Sequence, residues 1–144
     1  MEKRPTILIA DRNRNVREFL KREMASENYN VRLAKNCEEV LEMLNKEKMI
    51  DLLILDLDLP DSNEVRLLKD LQQQFPTLPI VVHTFVSEYA THPVVLSTST
   101  FVEKKGSSVE GLKKIVSDLL LKSQPQPGSV PGGIYPGNPE PSNE

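Results

Sequence analysis

Carboxylates close the two most apolar runs of this chain. Asp11 follows Thr6-Ile-Leu-Ile-Ala10, and Asp56 and Asp58 follow Leu52-Leu-Ile-Leu55. If the fold brings these ends together, they form a cluster of like-charged carboxylates whose repulsion a positive group must offset. Arg12, directly after Asp11, places a guanidinium beside the same cluster. An acidic residue that ends a single strand is ordinarily a solvated loop residue, so the chemistry depends on which strand ends meet. The other candidate ligands read as structural. Cys37 stands at helical spacing with Leu41 and Leu44, as a buried thiol would, and His83 and His92 have no ligand types at metal-site spacing, so neither is expected to bind a metal or act as a catalyst.

The elements that must position these residues follow from hydrophobic periodicity. Thr6–Ala10 reads as a strand buried on both faces. Asn15 to about Glu27, with Val16, Phe19, Leu20 and Met24 inward and Asn13 or Asn15 as N-cap, reads as a helix. Tyr29, Val31 and Leu33 alternate with polar residues, as in a strand nearer the sheet edge, and Cys37, Val40, Leu41 and Leu44 form a second amphipathic helix. Ile50–Leu59 holds the central strand. Ser62 or Asn63 is expected to cap a helix with Val65, Leu68 and Leu71 inward that stops before Pro76. Pro79–Phe85 is a fourth strand. Between Ser87 and Ser99, Pro93 and poor helix formers leave room for at most one or two short turns. Thr100–Glu103 is a fifth strand, and Ser107-Ser-Val-Glu110 is a capping box opening a last helix.

Five βα units with right-handed crossovers predict an α/β fold: a flavodoxin-like, doubly wound five-stranded parallel sheet with helices on both faces, in the order 2-1-3-4-5. In that order the ligand crevice opens at the carboxyl ends of strands 1 and 3. Those ends are Asp11-Arg12 and Asp56-Leu-Asp58.

With these residues in place, the chain resembles the receiver domain of two-component response regulators (the CheY-like family) over residues 6 to about 121. The resemblance rests on Ile7-Leu-Ile-Ala-Asp11, Leu53-Ile-Leu-Asp56-Leu-Asp-Leu-Pro60, Thr84, Phe101 and Lys104, in that order. It implies phosphorelay signal transduction by a non-enzymatic phosphoprotein. Asp56 would accept a phosphoryl group from a sensor histidine kinase or phosphotransfer protein, Thr84 would hydrogen-bond a phosphoryl oxygen, and Lys104 would pair with the charge. Phe101 would be the aromatic switch residue that follows Thr84. The implied cofactor is Mg2+, held by Asp11, Asp56 and the backbone carbonyl of Asp58. Physically, a carboxylate attacking a phosphoryl group is like-charge chemistry, which positive groups must offset and which the protein assists mostly by positioning.

The chain departs from the family pattern at the crevice. Arg12 stands where a second acidic residue, usually the direct metal ligand, is expected. At ~4 Å and an effective dielectric of ~20, replacing an attraction of about 4 kcal/mol by a comparable repulsion weakens a Mg2+ site by several kcal/mol if Arg12 points inward. Arg12 could instead pair with Asp56 or Asp58 and take the cation's place, giving the alternative function of a pseudo-receiver, a phosphorylation-independent protein-interaction module. Lesser departures are Phe85 for a small residue, Lys105 for proline and Glu64 for glycine. Phe85 could narrow access to Asp56. The segment between Thr84 and Lys104, with Pro93 and Ser97-Thr-Ser-Thr100, could alter the face that downstream partners read.

Composition supports this class and removes others. The 144 residues carry 18 basic and 21 acidic side chains for a net charge of −3, which gives no bulk positive field for nucleic acid or an anionic membrane. One cysteine excludes an internal disulfide and zinc modules, and no segment approaches the roughly 18 apolar residues of a membrane span, so a cytoplasmic location is expected. A flavodoxin-like cofactor protein is disfavoured by the acidic crevice, the lack of a Gly-rich loop after the first strand and the absence of Trp. Ten of the 22 residues from Ser123 to Glu144 are Pro or Gly, too little apolar material to offset the entropy of ordering them. The expected organisation is a receiver domain at 1–122 and a disordered tail or linker at 123–144, with no room there for a DNA-binding or enzymatic output domain and with output by protein contact. Two of the three net negative charges, Glu140 and Glu144, lie in that tail.

Overall fold

The computed structural model describes residues 4–46, 49–61, 65–85, 87–105 and 108–123. Ser62, Asn63, Glu64, Ser107 and the proposed tail beyond Ser123 lie outside these residues, together with the caps and the departure assigned to them. Five βα units are present: β1 (Thr6–Ala10), α1 (Arg14–Ser26), β2 (Asn30–Ala34), α2 (Cys37–Lys46), β3 (Ile50–Leu55), α3 (Val65–Gln74), β4 (Ile80–Thr84), a 3-10 turn (Ser87–Thr91), α4 (Pro93–Thr98), β5 (Thr100–Glu103) and α5 (Ser108–Ser123). The strands are all parallel in the order β2-β1-β3-β4-β5, as the alternation of patterns predicts.

Strand periodicity divides the core in two. Ile7, Ile9, Leu52, Ile54 and Val81 face one way and pack under Leu20 and Met24 of α1 and Leu112, Val116 and Leu120 of α5. Leu8, Ala10, Leu53, Leu55, Ile80 and Val82 face the other way, against Val40 and Leu44 of α2, Leu67, Leu68 and Leu71 of α3, and Val95 of α4. Burial on both faces explains why β1 and β3 read as continuous apolar runs, and the edge strand β2 as alternating.

The helix boundaries have identifiable causes. Asn13, not Asn15, is the N-cap of α1, its side chain accepting from the Val16 amide at 3.1 Å. Asn28 takes a left-handed conformation (φ 71) after the last turn and redirects the chain into β2. Pro93 does not break a helix but begins one, at the position where its missing N–H is no loss. The short α4 and the 3-10 turn are the two short turns the sequence allows.

The start of α2 is held from outside its own sequence. Asn36 Oδ1 accepts from the Glu39 amide at 2.8 Å, while Asp61, beyond the end of β3, accepts from the Cys37 and Glu38 amides at 2.7 and 3.2 Å. The Cys37 amide is also the chief reason the Asp61 carboxyl titrates below its ordinary value. Asp61→Ala leaves two N-terminal amides without this acceptor and is expected to lower stability by about 1 kcal/mol, measured as a shift in urea midpoint at neutral pH. A carboxyl with a depressed folded-state pKa stabilises above its unfolded pKa and loses this as pH falls through the folded value. The difference between wild type and Asp61→Ala should therefore shrink on acidification below about pH 4.

Candidate functional site

The backbone ladder runs one residue past several strand ends and sets the crevice. Asp11 N donates to Ala34 O at 3.1 Å, Asp56 N to Ala10 O at 2.9 Å, and Lys104 N to Thr84 O at 2.8 Å. Asp11 and Asp56 thus stand side by side at the carboxyl ends of β1 and β3, where the strand order reverses, and Lys104 follows the end of β5, beyond β4 on the same edge of the sheet. All three are buried, at 1%, 2% and 8% exposure.

The Lys104 ammonium lies between the two carboxylates, 2.7 Å from Asp11 Oδ2 and 3.3 Å from Asp56 Oδ2. The second oxygen of each carboxylate faces a backbone amide: Asp11 Oδ1 accepts from Asn13 at 2.8 Å and Asp56 Oδ1 from Asp58 at 3.0 Å. Burial is the largest influence on Asp11 and raises its pKa, against the opposing pull of Lys104 and the Asn13 amide; the Asp56 charge adds a smaller upward push. Thr84 is fully buried at the end of β4, and its hydroxyl donates to Asp58 Oδ2 at 3.3 Å.

Five residues singled out in the sequence, Asp11, Asp56, Asp58, Thr84 and Lys104, are therefore brought together. Phe101 lies on β5 opposite Val82, part-buried against the core beneath α2, α3 and α4. Arg12 is exposed and, among the described residues, makes no ion pair with Asp11, Asp56 or Asp58. The position between the carboxylates belongs to Lys104 instead. Phe85 is 65% exposed, and its ring lies 5.0 Å from the Lys104 ammonium, a cation–π contact over the crevice lysine.

Three residues have structural partners that their sequence positions did not indicate. Arg17 Nη1 donates to the Asp11 carbonyl at 2.7 Å and, with the Asn13 amide on the side chain, fixes the turn that carries Arg12; its signal was a guanidinium one helical turn beyond the cap. His83 is buried beside Thr84, with Nε2 3.4 Å from Ser108 Oγ and with Nδ1 unpaired among the described residues. Its signal was a polar residue amid Ile80-Val-Val. His92, read as neither ligand nor catalyst, caps α4 through Nδ1, which accepts from the Val94 amide at 3.2 Å. Cys37 is part-buried against the core, as its spacing predicts.

The donor set bears directly on a divalent cation. Among the described residues no group of three or more His, Cys, Asp or Glu side chains forms a metal-holding cluster. Asp11 and Asp56 are each engaged by Lys104 and by a backbone amide, the Asp58 carboxylate accepts from Thr84, and residue 12 is a cation. Each carboxylate of the cluster therefore already has a hydrogen-bond or ion-pair partner. The set does not match a preformed Mg2+ site.

The sequence model of the response regulator receiver domain matches residues 7–117. The chain belongs to the response regulator receiver family. Among its relatives, the transcriptional regulator NtrC of Proteus hauseri is 32% identical over 82 residues, 57% of this chain and 17% of that protein. PilR of Pseudomonas aeruginosa is 27% identical over 129 residues, 89% of this chain and 29% of that protein. The chain thus spans less than a third of these two relatives. The crystal structure of the response regulator TrrA from Thermotoga maritima, in complex with Mg2+-BeF, superimposes with a TM-score of 0.74 at 28% identity, covering 80% of this chain and 98% of that one. This receiver domain is therefore a two-component signalling module. Among the described residues, no helix is long and apolar enough to cross a membrane.

Proposed function

We propose that this receiver takes a phosphoryl group on Asp56 from a sensor histidine kinase or phosphotransfer protein and relays the signal by protein contact, as a cytoplasmic switch and not as an enzyme that turns over a substrate. The observation that carries this reading is the buried Asp56 carboxylate 3.3 Å from Lys104, at the strand-order reversal. A carboxylate oxygen forms the new P–O bond while the P–N bond of the donor breaks; the electron pair leaves on nitrogen, which takes up a proton. Lys104 supplies positive charge to the phosphoryl oxygens and Thr84 a hydroxyl donor. Bound Mg2+ would supply further neutralisation at the Asp56 carboxylate and the Asp58 carbonyl, but the donors present do not match a preformed site for it. Downstream partners would read the face made by α4, β5 and α5.

Arg12 favours the second reading, a pseudo-receiver that binds partners with no phosphoryl transfer. Treating the full chain with phosphoramidate or acetyl phosphate, then trapping phosphoaspartate and locating it by mass spectrometry, separates the two. A single phosphoryl group on Asp56, absent from Asp56→Asn, is the expected result; an unmodified Asp56 under all conditions leaves the pseudo-receiver.

A further inference from the structure

The crevice holds its cations on the protein. Asp11, Asp56 and Asp58 bring three carboxylates together, and the buried Lys104 ammonium between the first two offsets one charge. The next residue along the chain from Asp11 is no further carboxylate awaiting a metal but the cation Arg12. Its turn is fixed on both sides: Arg17 holds the Asp11 carbonyl at 2.7 Å, and the Asn13 amide, 2.8 Å from Asp11 Oδ1, belongs to the residue that caps α1. Arg12 is exposed at the rim, and no ion pair among the described residues commits it to the crevice carboxylates.

We infer that Arg12 takes the part of the divalent cation: its guanidinium binds the oxygens of the phosphoryl group arriving at Asp56, and the receiver is phosphorylated without Mg2+. This rests on Asp56 being the acceptor. A planar guanidinium suits a phosphoryl group because it can donate two parallel hydrogen bonds to oxygen anions. It cannot lose its proton, so the positive charge is permanent and needs no metal. The same charge opposes a second cation at the site. Lys104 serves Asp11 and Asp56 in the resting crevice; Arg12 serves the phosphoryl oxygens, which bring the additional negative charge.

Two measurements on the full chain test this, one of which needs no phosphorylation. In a Mg2+ titration followed by amide NMR, the backbone signals of Asp11–Asn13 and Asp56–Asp58 in the wild type should not move, whereas in Arg12→Asp they should. Site-localised shifts in the wild type would overturn the inference whatever the phosphorylation assay shows. In the second, phosphoramidate modifies the wild type at a rate that changes less than about threefold between excess Mg2+ and EDTA, Arg12→Gln slows the reaction in EDTA by at least ~10-fold, and Arg12→Asp makes it Mg2+-dependent. Wild-type phosphorylation that collapses in EDTA, or Arg12→Gln as fast as wild type, refutes the role of Arg12 and leaves Asp56 as acceptor. Failure to modify Asp56 with or without Mg2+, in every variant, refutes the acceptor reading and the inference together.

Discussion

Lys104→Met should lower stability at pH 7.5 by ~3 kcal/mol, the usual cost of removing one partner from a buried ion pair, and depress the thermal midpoint by roughly 10 °C. Two carboxylates at 1% and 2% exposure would face each other with no counter-charge. Methionine matches the lysine stem in length, so the loss is of charge and not of packing. The deficit should depend on pH in a defined direction. A carboxyl whose folded pKa is raised contributes stability that is present below its unfolded value and lost as pH rises through the folded one. Burial already raises Asp11, and Lys104 is the leading opponent of that rise. Removing the lysine raises it further, so Lys104→Met should recover much of its stability on acidification from pH 7.5 toward pH 4. Asp56→Asn in the same background removes one charge and should restore part of the loss at pH 7.5, a coupling that a double-mutant cycle in urea measures. Equal urea midpoints for wild type and Lys104→Met would show that the ion triad contributes nothing to the fold.

How much of this was legible in the residues depends on whether a neighbour in sequence or a neighbour in space sets the property. Strand and helix identities came from local periodicity, and because right-handed crossovers leave few topologies for five βα units, the convergence of Asp11 and Asp56 followed from order, while Thr84 and Lys104 came from the resemblance to receiver domains. The direction of Arg12 did not. Pairing with Asp56 or Asp58 was as plausible from the chain as exposure, and the choice falls to Lys104, 48 residues beyond Asp56, which takes the space between the carboxylates first. Asp61 is similar. It reads as one more acidic loop residue after Pro60, yet it closes the first turn of α2 from 24 residues away. Phe85 was a residue that could narrow access to Asp56; the contact of its ring with the Lys104 ammonium was not legible in the chain.

His83 is the residue whose environment should be most visible in solution. Burial, reinforced by the Lys104 charge and only partly offset by Asp56, pushes its pKa down to about 4 from an ordinary 6.5. With Nε2 facing Ser108 Oγ and Nδ1 unpaired among the described residues, the neutral ring is accommodated, while a second ring proton has no acceptor there. Between pH 6.5 and 4 the unfolded chain binds a proton at this position that the folded one refuses, so stability falls as pH falls. Linkage gives a loss of ~2 kcal/mol by pH 5 and ~3 kcal/mol by pH 4, opposite in sign to the contribution of Asp11. His83→Met removes the titrating group at similar volume. Its stability relative to wild type should therefore improve by ~2 kcal/mol between pH 7 and pH 5 in paired urea titrations, and parallel pH profiles for the two proteins would disprove the buried neutral ring. Because the Lys104 charge is part of what holds this pKa down, Lys104→Met should also move the His83 titration upward in imidazole NMR, toward the ordinary value. The same ammonium thus opposes the burial-driven rise of the Asp11 pKa on one side and favours the neutral histidine on the other.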